Sequence, residues 1–129
     1  MDVKESHKLL AKIEKSSDDI YILLDTKILW LQNYLIDYTE KLDYELGFLH
    51  AYAKKIVYFI EQHDVNQAAR QRAKKWVEYV VQLMKCNNSA AFDKFLLKLE
   101  EDVDFLKRHW LKRIVEMRME LLRKGEKKR

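Results

Sequence analysis

The sequence predicts an all-α fold, an elongated antiparallel bundle of three or four helices with coiled-coil-like seams. Proline is absent and glycine occurs only at Gly47 and Gly125, so the two strongest helix interrupters are nearly missing. An apolar ladder, Leu24, Ile28, Leu31, Leu35, Tyr38, Leu42, Leu46, Leu49, Ala53, Ile56 and Ile60, steps by threes and fours without losing phase. That spacing keeps one stripe of a helix turned toward a neighbour. Apolar residues make up 48% and charged residues 36%, enough for a core and a solvated surface. With 129 residues, one helical domain is expected over 1–124, followed by a disordered basic tail at 125–129.

A first helix is expected over 3–16, with Leu9, Leu10 and Ile13 as its apolar side. Ser16, Ser17, Asp18 and Asp19 supply side-chain acceptors and early negative charge, so a second helix should begin near Asp18. Around Gly47 the only helix-weakening residue is that glycine, which costs about 1 kcal/mol. The ladder runs through it, which predicts one long second helix, about 18–63, some 65 to 70 Å long at ~1.5 Å per residue. His63-Asp64-Val65-Asn66 reads as a turn and new cap before a third helix ending near Lys85, with Ala69, Ala73, Trp76, Val80 and Leu83 on its core side. Cys86-Asn87-Asn88-Ser89 reads as a loop with Ser89 as N-cap. A fourth helix follows from Ala90 to about Lys124, its seam being Phe92, Phe95, Leu99, Val103, Leu106, Trp110, Ile114, Met117 and Leu121.

Two helices carry a second apolar stripe: Trp30, Tyr34, Phe48, Tyr52 and Phe59 on the second, Leu111, Val115, Met119 and Leu122 on the fourth. These nine are the interface candidates. A stripe of this kind either meets a second neighbour within the bundle or forms a subunit surface. The third helix, near 30 Å, covers only about half of the second, so part of the ladder would stay wet in a monomer and a homodimer is expected.

Charge is unevenly placed. Residues 1–64 carry 8 Lys and 12 Asp+Glu, whereas residues 65–129 carry 17 Lys+Arg and 9 Asp+Glu, including every arginine. Arg70, Arg72, Lys74 and Lys75 open the third helix; Lys107, Arg108, Lys112, Arg113, Arg118 and Arg123 occupy the end of the fourth. In an antiparallel bundle those two regions lie at one end and merge into a patch for DNA, RNA or another polyanion, contacting phosphates without reading sequence.

Catalytic patterns are weaker. Asp37-x-x-Glu40 and Glu61-x-x-Asp64 resemble the paired-carboxylate signature of all-helical nucleotide pyrophosphohydrolases, in which facing acids gather magnesium. On one continuous helix the pairs lie about 36 Å apart and share no ion. Glu100, Glu101, Asp102 and Asp104 point in different directions around one helix, as a solvated face does. His7, His50, His63 and His109 show no metal-ligand spacing, and Cys86 stands alone without disulfide or cysteine cluster. No metal or cofactor is expected. The opening MDVKESHKLL lacks a secretory core and no apolar run is long enough to span a bilayer, so an intracellular protein, cytoplasmic or nucleoid/nuclear, is expected.

The leading expectation is a non-enzymatic helical assembly module, dimeric, which binds nucleic acid or another polyanion through a basic end, as a nucleoprotein or accessory subunit would. A protein-binding adaptor without nucleic-acid affinity ranks second and a metal-dependent nucleotide hydrolase third.

Overall fold

The computed structural model describes residues 3–41 and 44–127, and these form six helices: α1 (Val3–Ser16), α2 (Ile20–Glu40), α3 (Leu46–Gln62), α4 (Gln67–Met84), α5 (Ser89–Glu101) and α6 (Arg108–Lys127). The all-α expectation holds; the three- or four-helix count does not, because two expected helices each break once. Leu42 and Asp43 lie outside the described residues.

Local caps fall where side-chain acceptors were expected. Asp19 accepts from the backbone N–H of Tyr21 and Ile22 to start α2, and Asn66 accepts from Ala69 N–H to start α4. At α5 the cap is Asn88, not Ser89, its side chain accepting from Ala91 N–H at 2.9 Å.

The long second helix is instead a hairpin. Asn66 N–H donates to the Tyr21 hydroxyl, the Lys27 ammonium lies 5.3 Å from the Phe59 ring, and Trp30 and Tyr34 meet Tyr52, so α3 runs antiparallel to α2. Ending α2 at Glu40 and starting α3 at Leu46 forfeits a few kcal/mol of hydrogen bonding at ~1 kcal/mol per bond. Folding back brings the two halves of the ladder into one core. Leu31, Leu35, Leu49, Ile56 and Ile60 become fully buried, worth about 10 kcal/mol at ~2 each, so burial wins. Gly47 sits within α3 with negative φ and open space around it, so the break does not use glycine's conformational freedom.

What stops α2 is Arg118 of α6, which is 8% exposed. Its guanidinium donates to the carbonyls of Tyr38, at 2.7 Å, and Lys41, and stacks 4.3 Å from the Tyr38 ring. Cations at a helix C-terminus satisfy carbonyls that have no partner within the helix and oppose the dipole's negative end.

The expected fourth helix breaks between Glu101 and Arg108. Asp102 caps α5 and accepts from Lys75 Nζ at 2.7 Å and the Tyr79 hydroxyl at 2.6 Å, both on α4. Phe105 turns inward to stack on Tyr79, with ring centroids 4.6 Å apart. Val103 and Leu106, expected in the seam, are 72% and 86% exposed. The break resets the phase of α6, whose buried side is Leu111, Ile114, Val115 and Arg118, while Met117 is exposed. Gly125 to Lys127 continue α6, so three residues of the expected tail are helical; residues 128–129 lie outside the described ones.

Packing follows from these reversals. α2 is central, against α1, α3 and α6; α4 packs on α3, and α5 joins α4 to α6. The described ladder residues are packed within one chain, which removes the length mismatch that favoured a dimer.

Candidate functional site

Helix direction decides where the basic residues go. α4 starts beside Tyr21, at one end of α2, whereas α6 passes Gln32 at Lys107 and reaches Tyr38 and Lys41 at Arg118. The start of α4 and the end of α6 therefore lie at opposite ends of the bundle, about 25 to 30 Å apart along α2. The single merged basic patch is not formed. Because the fourth helix folds back at 102–107, α6 runs the same way as α4 rather than against it.

Half of the ten candidate cations are engaged internally. Arg118 is buried at the α2 terminus. Lys75 pairs with Asp102 and Lys112 with Glu100, both at 2.7 Å. Arg108 donates to the Glu100 carbonyl at 3.1 Å. Lys107 donates to Gln32 Oε1 at 2.7 Å and lies 5.6 Å from the Trp76 ring; burial pushes its ammonium below the ordinary lysine range, with Asp25 opposing. Arg72, Lys74, Arg113 and Arg123 are exposed and Arg70 is half-buried. They divide into Arg70, Arg72 and Lys74 on α4, and Arg113 and Arg123 on α6.

The interface candidates are mostly internal contacts. Trp30, Tyr34 and Tyr52 cluster between α2 and α3 with His7 of α1. Leu111 and Val115 are fully buried and Phe59 nearly so. Met119 and Leu122 join Phe92 and Leu96 in an open groove of about 660 Å³ beside the Asn87–Ser89 loop. Phe48 is 59% exposed.

A different apolar surface emerges on the outside of α2. The Ser6 hydroxyl accepts from Asn33 Nδ2 at 2.9 Å, which places α1 along one flank, and the Lys107–Gln32 bond places the α5–α6 turn along the other. Between them Ile22 and Leu29, seven residues apart and hence on one α2 stripe, are each 45% exposed. Leu9 and Ile13 stand on the same side of α1 as Ser6, at i+3 and i+7, and are 55% and 37% exposed. Leu106, next to Lys107 on that turn, is 86% exposed. This surface, with Ile22 and Leu29 on α2 between Leu9 and Ile13 of α1 and the turn that carries Leu106, is called the trough. Sequence reasoning passed over it, although Ile22, Leu29 and Ile36 recur at seven-residue steps.

The carboxylate pairs remain apart after the fold-back. Asp37 and Glu40 lie at the end of α2, while Glu61 and Asp64 lie beside its start, roughly 24 Å away along the antiparallel hairpin. Among the described residues no three His, Cys, Asp or Glu side chains converge as metal ligands. Glu100 and Asp102 are held below the usual carboxylate range, chiefly by hydrogen bonds from Lys112 and Lys75 respectively. The Cys86 thiol is pushed up by burial, against the direction that activates a nucleophile. His63 stacks on Phe59 and its Nδ1 lies 2.9 Å from the Phe59 carbonyl, a local contact at the end of α3.

Among the described residues no helix is long and apolar enough to cross a membrane. No protein family, curated protein or solved structure matches this chain.

Proposed function

We propose that the protein is a non-enzymatic helical assembly module whose working surface is the α1–α2 trough, occupied by a second copy of the chain. The single observation that carries this is the exposure of Leu9, Ile13, Ile22, Leu29 and Leu106 on α1, the outer stripe of α2 and the α5–α6 turn that flanks it. From their exposed fractions and ordinary residue sizes these five offer roughly 500 Å², so a two-fold pairing removes about 1,000 Å² from water, the least that a biological interface buries. Scattered single apolar residues are ordinary on a surface; a contiguous face of this size marks an interaction site. A two-fold partner suits it because the same patch supplies both sides, floor stripe against floor stripe.

Equilibrium sedimentation of the wild type and of Leu29→Glu and Leu106→Glu tests this. Both positions are exposed, so the substitutions leave the core alone. A dimer at tens of micromolar that each change converts to monomer, with unaltered circular dichroism, supports the proposal. A wild-type monomer at that concentration refutes it, and a monomer that still captures another protein through the trough supports the adaptor function instead.

Polyanion binding is the secondary proposal, restricted to Arg70, Arg72 and Lys74 at the start of α4. Cations there sit against their own helix dipole, a placement with no local stabilising reason. Arg113 and Arg123 on α6 form a separate and sparser group.

A further inference from the structure

We infer that α1 is an acid-released strap, held on α2 by a neutral His7 and detached when that imidazole takes a proton.

α1 packs along α2 but buries few side chains there. Among the described residues Leu10 is the one buried side chain of α1, and Asn33 Nδ2 donates to the Ser6 hydroxyl. His7 adds the aromatic contact. Its ring stacks on Trp30 with centroids 4.2 Å apart and an interplanar angle of 29°, and lies 5.4 Å from Tyr34. Its Nε2 is buried with no hydrogen-bond partner. A neutral imidazole tolerates that position through the tautomer that leaves Nε2 without hydrogen. Protonation makes both ring nitrogens donors and leaves a buried N–H⁺ without an acceptor.

The surroundings determine the sign. Facing His7 are Asp37 and the Tyr34 phenol from α2, and the Tyr52 phenol stands behind them on α3; Glu14 of α1 and Tyr44 of the α2–α3 connection are one step further out. Burial raises the three tyrosines, Tyr44 to about 12, so none carries charge near neutrality. Asp37 favours the imidazolium, but burial outweighs it and the His7 pKa is lowered from its ordinary value of 6.5. A group depressed on docking stabilises the docked form fully above its free pKa and loses that contribution as pH falls through the docked one. α1 therefore stays on at neutral pH and loosens below about pH 6.5. Once detached, a 14-residue helix is marginal in water and melts, uncovering Trp30, Tyr34 and Tyr52.

Amide hydrogen exchange of the full chain, corrected for intrinsic rates, tests this between pH 7.5 and pH 5. The expected result is loss of protection in α1 on acidification while α4 keeps its own. His7→Phe preserves the stack without titrating, and His7→Gln replaces the ring by a neutral polar group that does not titrate; either should hold α1 protection constant across that range. Asp37→Asn removes the charge that opposes the release, so α1 should lose more protection at pH 5 than in the wild type. Unchanged α1 protection in the wild type, equal loss in both His7 variants, or simultaneous loss in α4 would each overturn the proposal. At protein concentrations low enough for the chain to be monomeric, these readouts do not depend on whether the trough pairs two chains.

Discussion

Replacing Arg118 by Met should destabilise the protein by about 3 kcal/mol, because this side chain terminates α2 rather than serving the surface. The buried Tyr38 carbonyl loses a charged donor and cannot recover water, which costs about 2 kcal/mol. Losing the guanidinium from the Tyr38 ring at 4.3 Å adds about 1 kcal/mol. The Lys41 carbonyl, on an exposed residue, recovers water and adds only a few tenths. Urea unfolding followed by circular dichroism reads this directly: with a slope near ~1.5 kcal/mol/M, the midpoint should fall by about 2 M. Arg118→Lys should recover less than half, since an ammonium reproduces neither the planar fork nor the flat stack. A Met variant within about 1 kcal/mol of wild type, or a Lys variant indistinguishable from it, would refute the assignment of Arg118 as the α2 terminator.

Gly47→Ala should stabilise by about 0.5 to 1 kcal/mol, measured as a rise in the thermal midpoint, because the position is helical and a Cβ there meets nothing within 4 Å. For duplex DNA, the slope of log K against log salt should be about −3 or shallower, as expected for Arg70, Arg72 and Lys74 acting alone at ~0.9 per phosphate. Ten cooperating cations would give roughly −9, so a slope steeper than about −6 counts against the division of the basic residues between two ends.

The elements legible in the sequence are those whose signals are local. Asp19 and Asn66 cap the helices that follow them because an acceptor, its spacing and the next apolar run all lie within one turn. The two breaks are invisible by the same logic. Lys41 to Glu45 and Asp102 to Lys107 contain neither glycine nor proline, and the groups that stop the helices come from elsewhere: Arg118 on α6 for the first, Lys75 and Tyr79 on α4 for the second. Propensity is a weak prior against a buried guanidinium or a two-donor carboxylate. The basic residues show the same limit. Their charge is plain in the sequence, but whether a cation faces solvent or a carbonyl depends on helix direction, and both missed reversals change it. His7 has no local signal at all, since its stacking partner lies on the next helix.

One helix joins the two proposals. Ser6, Leu9 and Ile13 line the trough, while His7 and Leu10 of the same helix hold α1 onto the bundle. A strap that leaves at low pH takes the Leu9 and Ile13 rim with it, so acid should weaken self-association as well as expose Trp30, Tyr34 and Tyr52. The reciprocal coupling follows by linkage: a second copy bound across the trough holds α1 down and must lower the pH at which His7 releases it. Release measured by hydrogen exchange should therefore shift to lower pH as protein concentration rises, and Leu29→Glu should abolish that shift while leaving release itself intact. A concentration-independent release in a protein that does dimerise through the trough would separate the two devices and place the α1 rim outside the interface.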